Sequence, residues 1–285
     1  MKNNNSAITQ TTLITGLFGY PVSHSLSPAM HNAAFAHCRL PYVYLPFAVH
    51  PENLKSATEA IRALGLAGVN VTIPHKETIL PFLDRIDPAA RKIGSVNTVV
   101  NNKGTLTGYN TDAPGFLKDI QSRGFDPSGT TSMIVGSGGA AKAVARGLVD
   151  AGVKKLFITS NDIRQATSLV RRLSRTAFVP LSAWKEKISQ TDILVNATPV
   201  GMKTSDAPLA TARELHKNLF VYDLIYSHPT GLIQAARAAG APHADGLGML
   251  LFQGALSFER WTGENAPVAV MRAALLKAIK NNKKK

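Results

Sequence analysis

A glycine-rich turn between an apolar run and a helical pattern constrains the fold of this chain more than any other feature. The apolar run ends at Val135, the turn is Gly136-Ser137-Gly138-Gly139-Ala140-Ala141, and the helical pattern continues to Ala151. A strand, a tight turn and a helix in this order form the first half of a βαβ unit. Strands are also predicted at 156–159, 192–197 and 219–225, and an amphipathic helix at 162–173. This alternation predicts a parallel sheet with helices on both faces.

The spacing of small residues in the turn is that of a dinucleotide-binding fingerprint. Gly136 permits the tight turn, Gly138 lets a pyrophosphate approach the backbone, and Ala141 allows close contact between helix and strand. The pyrophosphate would lie at the positive N-terminus of the helix. A glycine-rich turn that binds nothing is the alternative, and the strand before the turn and the helix after it favour the cofactor.

The residues after the second strand of this unit bear on the choice between NAD and NADP. An acidic residue there binds the ribose diol of NAD, whereas arginine favours the 2′-phosphate of NADP. Ser160, Asn161 and Arg164 could hold a phosphate, whereas Asp162 would repel one if its carboxylate pointed inward. Asp162 could equally be the N-cap of the helix that follows it. The residues themselves leave both cofactors open.

The first 113 residues contain a second alternation of strands and helices. A helix is predicted at 28–39, with Ser27 as N-cap and Pro28 at the first helical position, and another at 52–64. The predicted strands are 13–18, 42–49, 68–73, 96–101 and 105–109. The spacing of apolar residues predicts helix over most of residues 249–279, and this segment can pack back on the first part of the chain. The expected domains are residues 1–113 with 250–285, and residues 114–249.

Lys76 and Asp112 lie beside hydroxyl and amide side chains at the ends of predicted strands. Lys76 ends the stretch Asn70-Val71-Thr72-Ile73-Pro74-His75-Lys76, and Asp112 ends Gly108-Tyr109-Asn110-Thr111-Asp112. Either charge alone would be typical of a solvated surface. The turn Ser25-Leu26-Ser27-Pro28 adds two hydroxyls that face one side. Together these groups predict a binding site for a polyol.

Several motifs stand in order along nearly the whole chain. They comprise residues 24–32, 70–76, 96–98, 108–112, 136–141, 196–202, 223–226 and 245–253. As a set they are specific, and in this set the chain resembles the shikimate dehydrogenase family with its quinate/shikimate dehydrogenase relatives. The resemblance implies an α/β fold of two domains. These are an N-terminal α/β substrate domain and a Rossmann-type, doubly wound dinucleotide-binding domain.

The resemblance implies reversible NADPH-dependent reduction of 3-dehydroshikimate to shikimate, a step of aromatic amino acid biosynthesis, with Lys76 and Asp112 as the catalytic pair. Hydride transfer to a ketone develops an alkoxide, which a lysine ammonium can stabilise and protonate. Ser25 and Ser27 would bind the substrate carboxylate. Residues that would hold the ring hydroxyls or lie near the substrate are Thr72, Asn97, Thr111, Asp112, Tyr226 and Gln253. Residues that would contact the dinucleotide are Gly136, Ser137, Gly138, Gly139, Ala140, Ser160, Asn161, Arg164, Thr198, Leu224, Gly246 and Met249.

One departure from the family pattern concerns the cofactor. Many NADP-using members carry Asn-Arg-Thr where this chain has Ser160-Asn161-Asp162, so Arg164 would have to act from the first helical turn. NAD is therefore the alternative cofactor. Ser27 resembles the residue of shikimate-preferring members, and a quinate/shikimate dehydrogenase paralogue that uses NAD stays open. A catalytically silent nucleotide-binding sensor is a further alternative, against which the retained Lys76 and Asp112 argue.

Composition excludes several other classes of protein. Hydrophobic residues make up 45% of the 285 residues, which excludes a disordered chain. The net charge of +14 would suit nucleic acid, but it is mostly diffuse, so we expect no nucleic-acid partner and favour an anionic small-molecule substrate. Cys38 is the one cysteine, and the spacing of the histidines matches no zinc motif, so no metal is expected. We expect no membrane span, a cytoplasmic location, and a monomer or homodimer.

Overall fold

The computed structural model describes residues 8–282. Within it the chain divides into two compact units, each with its own sheet. Unit 1 comprises Met1–Gly115 with Leu250–Lys285, and unit 2 comprises Phe116–Met249. The α/β fold predicted from the sequence is confirmed. No helix among residues 8–282 is both long enough and apolar enough to cross a bilayer.

Unit 1 is built on a mixed sheet with the strand order β2-β1-β3-β5-β6-β4. β1 pairs in parallel with both β2 and β3, whereas β5 pairs antiparallel with β3 and with β6. The strands are β1 (Leu13–Gly19), β2 (Tyr42–Ala48), β3 (Gly68–Val71), β4 (Arg85–Ile86), β5 (Thr98–Asn102) and β6 (Thr105–Tyr109). The strands predicted at 96–101 and 105–109 form a hairpin, β5 and β6, and Lys103 and Gly104 in its turn both have positive φ.

Helices of unit 1 place polar residues at the ends of these strands. They are α1 (Ser27–His37), α2 (Leu54–Ala63), α3 (His75–Thr78), α4 (Pro88–Ile93), the start of α5 (Asp112–Ser122), most of α9 (Leu247–Thr262), and α10 (Val268–Asn282). α10 packs against α1, so the C-terminal segment does return to the first part of the chain. The predicted helical run 249–279 is interrupted at Gly263, whose φ is +73°.

The predicted N-cap of α1 is wrong. Ser27 is the first helical residue, and Leu26 occupies the N-cap position. The hydroxyl oxygen of Ser25 accepts the Ser27 N–H at 3.3 Å, which satisfies one of the free amides at this helix end. The Ser27 side chain is buried.

Unit 2 is built on an all-parallel sheet with the order β12-β11-β10-β7-β8-β9. Its strands are β7 (Thr131–Val135), β8 (Lys155–Thr159), β9 (Thr176–Phe178), β10 (Ile193–Asn196), β11 (Phe220–Asp223) and β12 (His243–Asp245), and its helices are α6 (Gly139–Asp150), α7 (Ile163–Arg172) and α8 (Gly231–Ala238). Ile134 packs in one apolar cluster with Val144 of α6, whereas Met133 packs in a second cluster with Leu232 of α8. Burial on both faces explains why the central strands have continuous apolar sequences.

Candidate active site

Lys76 and Asp112 form an ion pair in unit 1. Lys76 lies in α3, which follows the end of β3, and Asp112 is the first residue of α5. Lys76 Nζ lies 2.5 Å from Asp112 Oδ2, and the exposed fractions of the two side chains are 15% and 6%. A charge-assisted hydrogen bond this short and this well shielded holds the ammonium in one place. The remaining hydrogens of the ammonium are available to a substrate oxygen.

The backbone on both sides of Asp112 is fixed by Asn110. Asn110 Oδ1 accepts the N–H of Asp112 at 3.1 Å and that of Ala113 at 3.3 Å, which caps the first turn of α5. Asn110 Nδ2 in turn donates to the Ser95 carbonyl at 2.9 Å. The carboxylate therefore projects from a helix start whose free amides are already bonded.

Asn97 joins the ion pair to a buried polar cluster. Its Nδ2 donates to Asp112 Oδ1 at 2.9 Å and lies 3.3 Å from Gln253 Oε1. Its Oδ1 accepts the Thr111 N–H at 2.7 Å. Because a backbone N–H can only donate, this bond fixes which end of the Asn97 amide faces Asp112. Lys76, Asn97, Thr111, Asp112 and Gln253, all predicted from the sequence, therefore lie in one hydrogen-bonded group.

The other predicted substrate residues lie at neighbouring strand and helix ends or in unit 2. Ser25 is half-buried before α1, and Ser27 is the buried first residue of that helix. Thr72 follows β3, and its N–H donates to the Phe18 carbonyl of β1 at 2.9 Å. Tyr226 belongs to unit 2, where burial raises the pKa of its hydroxyl.

Two histidines of unit 1 are buried, and the others are exposed. His31 is fully buried and stacks on Tyr44 with a ring-centroid distance of 4.5 Å. His75 Nε2 donates to the Val49 carbonyl at 2.7 Å. His24 and His37 are exposed. Across residues 8–282 no three His, Cys, Asp or Glu side chains converge in a metal-binding group.

The glycine turn of unit 2 is shaped to admit an anion. Gly136 has a φ of +121°, and a Cβ there would lie 2.8 Å from the Ala197 carbonyl oxygen. Gly138 is the N-cap of α6, and a Cβ there would meet nothing within 4 Å. An open approach to the N-terminus of a helix of 12 residues fits a dinucleotide pyrophosphate. Gly139 and Ala140 begin the same helix.

Side chains at the end of β8 form a small polar cluster beside this turn. Ser137 Oγ lies 2.9 Å from Ser160 Oγ and donates to Gln165 Oε1 at 2.9 Å. Asp162 is the N-cap of α7, because its Oδ1 accepts the Gln165 N–H at 2.9 Å. The N-cap interpretation of Asp162 is therefore confirmed. Asn161 and Arg164 are exposed on this side of the unit.

The remaining predicted cofactor residues follow the strands on the other side of β7. Thr198 Oγ1 donates to Asn196 Oδ1 at 2.7 Å, and Asn196 Nδ2 donates to Asp223 Oδ1 at 3.0 Å. Burial raises the pKa of the Asp223 carboxyl, which also accepts the Thr230 hydroxyl at 2.6 Å. Leu224 and Gly246 follow β11 and β12, and the buried Met249 lies in the first turn of α9.

Asn70, Thr98 and Ser257 belong to the same polar cluster, although the sequence assigned no role to them. Asn70 Nδ2 lies 3.1 Å from Thr98 Oγ1 and 3.0 Å from Ser257 Oγ, and all three residues are buried. Asn70 and Thr98 stand within the motifs at 70–76 and 96–98. Their place in those motifs was the available signal, whereas Ser257 lies in a helix whose sequence shows no such mark.

Known protein families match most of the chain. Residues 17–99 match the shikimate dehydrogenase substrate binding domain, residues 119–224 the shikimate / quinate 5-dehydrogenase family, and residues 246–276 the shikimate 5'-dehydrogenase C-terminal domain. These matches cover both units and include Lys76, Asn97 and the glycine turn.

Relatives resemble the chain along nearly its whole length. A shikimate dehydrogenase (NADP(+)) of Methanopyrus kandleri is 45% identical over 280 residues, which are 94% of this chain and 97% of that protein. Shikimate 5-dehydrogenase of Thermus thermophilus, solved with NADP(H) and shikimate, is 37% identical with a TM-score of 0.86, over 94% of this chain and 100% of that one. The Listeria monocytogenes enzyme, solved with shikimate and NAD, is 37% identical with a TM-score of 0.87, over 94% and 98%. With this extent of similarity, the chain belongs to the shikimate dehydrogenase family.

Proposed function

We propose that this protein catalyses the reversible NADP-linked reduction of 3-dehydroshikimate to shikimate, with Lys76 and Asp112 as the catalytic pair. The observation that carries the proposal is the shielded Lys76–Asp112 ion pair, whose second carboxylate oxygen is held by Asn97. Family membership and relatives bearing the name shikimate dehydrogenase (NADP(+)) support the substrate and the cofactor.

Lys76 acts as the proton donor in the direction of reduction. When the ketone becomes a secondary alcohol, negative charge develops on its oxygen, and an ammonium at that oxygen stabilises the charge and transfers a proton. In the reverse direction the same nitrogen accepts the hydroxyl proton. A bound nicotinamide dinucleotide supplies the hydride in reduction and accepts it in oxidation.

Asp112 keeps the ammonium in position and remains an acceptor throughout. Its Oδ2 takes one Lys76 hydrogen and its Oδ1 takes the Asn97 amide hydrogen. A carboxylate held on both oxygens cannot rotate away when the substrate binds. Gln253 Oε1, which lies 3.3 Å from Asn97 Nδ2, supplies an amide acceptor for a ring hydroxyl.

The carboxylate of the substrate is assigned to Ser25 and Ser27. Both hydroxyls lie at the start of α1, within the same unit as the ion pair. Hydroxyl donors at a helix start favour a carboxylate, because the helix dipole adds to their hydrogen bonds. The dinucleotide is assigned to the glycine turn of unit 2, with Ser137, Ser160, Asn161 and Arg164 around the adenosine ribose.

The test is turnover with each pairing of two substrates and two cofactors. Purified protein is assayed with shikimate or quinate, and with NADP or NAD, by the absorbance of the reduced cofactor. The highest kcat/KM is expected for shikimate with NADP. Turnover that favours quinate or NAD would identify a paralogue of the quinate/shikimate type. Absence of turnover in all four assays, with the protein folded and binding dinucleotide, would contradict the proposal and favour a sensor.

A further inference from the structure

A chain of buried hydrogen bonds leads from Tyr44 to the proposed catalytic pair. Tyr44 is 1% exposed, and its hydroxyl donates to Asn70 Oδ1 at 2.9 Å. Burial raises the pKa of this hydroxyl, so it is a proton donor at every physiological pH. The Tyr44 backbone is itself clamped, since its N–H donates to Asn32 Oδ1 at 2.8 Å and its carbonyl accepts from Asn32 Nδ2 at 3.0 Å.

The Tyr44 hydroxyl and the Asn97 carbonyl together hold the Asn70 amide in one orientation. With Oδ1 occupied by Tyr44, Asn70 Nδ2 faces three oxygens: the Asn97 carbonyl at 3.1 Å, Thr98 Oγ1 at 3.1 Å and Ser257 Oγ at 3.0 Å. An amide nitrogen carries two hydrogens and accepts none. Because the Asn97 carbonyl can only accept, Asn70 faces it with its nitrogen, and reversing the amide would place Asn70 Oδ1 against that carbonyl oxygen.

Beyond Asn70 the hydroxyls of Thr98, Thr111 and Ser257 form a closed triangle. Their oxygens are separated by 2.8 Å (Thr98–Ser257), 3.2 Å (Thr111–Ser257) and 3.3 Å (Thr98–Thr111). Each hydroxyl carries one proton, and Ser257 Oγ is positioned to donate its proton to the Gln253 carbonyl at 2.9 Å. Thr111 Oγ1 accepts from Asn97 Nδ2 at 2.9 Å and directs its own proton to Ser257 Oγ at 3.2 Å, while the Thr98 proton is directed to Asn97 Oδ1 at 3.1 Å.

All these bonds converge on Asn97, which contacts Asp112. With its oxygen occupied by the Thr111 N–H and the Thr98 hydroxyl, and one amide hydrogen on Thr111 Oγ1, Asn97 keeps its other amide hydrogen on Asp112 Oδ1. We propose that Tyr44, Asn70 and Ser257 are positioning residues that hold the Asn97 amide against Asp112 and so fix the Lys76 ammonium for proton transfer. This inference rests on the proposed function and adds to it residues that do not touch the substrate.

Tyr44 also interacts with the other end of the proposed substrate site. The Ser27 side chain, which is assigned to the substrate carboxylate, lowers the pKa of the Tyr44 hydroxyl against the larger effect of burial. Loss of the Tyr44 hydroxyl should therefore affect both kcat, through Asn70, and KM, through Ser27. Loss of the Ser257 hydroxyl should affect kcat alone, because Ser257 has no bond to Ser27 among the described residues.

The experiment compares two hydroxyl deletions with two matched controls. Ser257→Ala removes a buried helical hydroxyl that bonds the carbonyl four residues earlier, and Thr58→Val removes another of the same kind, bonded to Leu54 at 2.8 Å. Tyr44→Phe removes the hydroxyl that donates to Asn70. Its control, Tyr42→Phe, removes another hydroxyl of β2, which donates to the Trp261 carbonyl at 3.1 Å.

Steady-state kinetics separates positioning from structural support. Ser257→Ala is expected to lower kcat about 10-fold, as loss of one neutral hydrogen bond would, with KM for shikimate within about twofold. Tyr44→Phe is expected to lower kcat similarly and also to raise KM. Thr58→Val and Tyr42→Phe should keep both constants. Unchanged kcat in Ser257→Ala, or an equal loss in Thr58→Val, would overturn the proposal.

A spectroscopic readout keeps this test independent of turnover. The side-chain amide resonances of Asn97 are assigned in ¹⁵N-labelled protein with the aid of Asn97→Asp. Tyr44→Phe and Ser257→Ala should shift these resonances, whereas the two control variants should not. If the wild-type protein lacks turnover but the resonances shift, the proposed function fails, while the proposed hydrogen-bonded connection from Tyr44 and Ser257 to Asn97 stands. If the Asn97 resonances are unchanged in both Tyr44→Phe and Ser257→Ala, the proposed connection to Asn97 is contradicted, whatever the activity of the protein.

Discussion

Asn97 and Lys76 bond opposite oxygens of one carboxylate. Asn97 Nδ2 donates to Asp112 Oδ1 at 2.9 Å, and Lys76 Nζ donates to Asp112 Oδ2 at 2.5 Å. A carboxylate that accepts from both sides has a fixed plane, and a fixed plane gives the ammonium a fixed position. In this geometry Lys76 is the group proposed to transfer a proton, whereas Asp112 and Asn97 hold Lys76 in place. Substitution of Lys76 and substitution of the groups that position it should therefore have different effects on kcat and KM.

Lys76→Ala should lower kcat far more than it raises KM. The ammonium matters most when charge develops on the substrate oxygen, so its removal costs transition-state binding, and we expect a loss of about 100- to 10,000-fold. Lys92→Ala, which removes an exposed lysine of α4, is the control. Steady-state kinetics with shikimate provides both constants. A normal kcat with only a raised KM would remove Lys76 from the chemistry.

The 2′-phosphate of NADP should be within reach of residue 161. Asn161 is exposed after β8, and the neighbouring Asp162 has its carboxylate engaged by the Gln165 N–H. Asn161→Arg should therefore raise the affinity for NADP relative to NAD, by about 10-fold for one added charge-assisted contact. Direct titration of both dinucleotides measures this without turnover. Arg164→Ala is the companion variant.

The two variants distinguish two possible binding positions for the 2′-phosphate of NADP, one at residue 161 and one at Arg164. A loss of NADP affinity in Arg164→Ala, with NAD affinity kept, assigns the phosphate to the first turn of α7. If Asn161→Arg leaves the ratio of affinities unchanged while Arg164→Ala lowers it, Arg164 is sufficient. If neither variant changes the ratio, the phosphate lies elsewhere in unit 2.

The four central strands of the unit 2 sheet were predictable because they are buried on both faces, whereas the edge strands β9 and β12, which are less buried, were not predicted. A run such as Met133-Ile134-Val135 must be apolar throughout, and this produces a signal that no alternating surface strand gives. Helix α5 was missed for an equally local reason, since it contains Pro114 and Gly115, which disfavour helix interiors. Pro114 is tolerated because it lies in the first turn, where its missing N–H has no partner to lose.

The candidate site was predictable where motifs are local and was missed where tertiary packing builds it. Lys76, Asn97 and Asp112 stand in short motifs, and the structure brings them within hydrogen-bonding distance, while their catalytic roles stay predictions. Thr98 and Ser257 are 159 residues apart in sequence and meet only when α9 packs on β5. No pattern along the chain shows that two such hydroxyls share a proton network.

Burial of His31 should make the fold sensitive to acid. The ring is fully buried, and neither of its nitrogens has a hydrogen-bond partner within residues 8–282. Burial lowers the pKa of His31 from 6.5 to about 3. Below pH 6.5 the unfolded chain therefore binds a proton that the folded chain does not. The free energy of unfolding should then fall by about 1.4 kcal/mol per pH unit as the pH approaches the folded value.

His31→Phe removes this proton uptake and keeps an aromatic ring against Tyr44. Its free energy of unfolding relative to the wild type should rise by about 3 kcal/mol between about pH 7 and about pH 4. Urea unfolding at the two pH values measures the difference. His37→Ala, at an exposed position of α1, should keep the pH dependence of the wild type. A parallel pH dependence in wild type and His31→Phe would show that this ring is protonated in the folded state.

Two glycines of the same turn should respond to alanine in opposite ways. Gly136 has a φ of +121°, and a Cβ there would approach the Ala197 carbonyl oxygen to 2.8 Å. Gly136→Ala should therefore destabilise the protein by about 1–3 kcal/mol or more, which thermal unfolding measures. Gly138 has a φ of −71° and ψ of −174°, which alanine adopts without strain, and its Cβ would meet nothing within 4 Å.

Gly138→Ala should therefore fold like the wild type but bind dinucleotide poorly. The added methyl group would occupy the open approach to the N-terminus of α6, where the pyrophosphate needs contact with backbone N–H groups. Calorimetric titration with NADP, at matched thermal stability, should show affinity reduced about 10-fold or more, because displacing a charged group from its donors costs at least one charge-assisted hydrogen bond. Wild-type affinity in Gly138→Ala would show that the pyrophosphate does not bind at this turn.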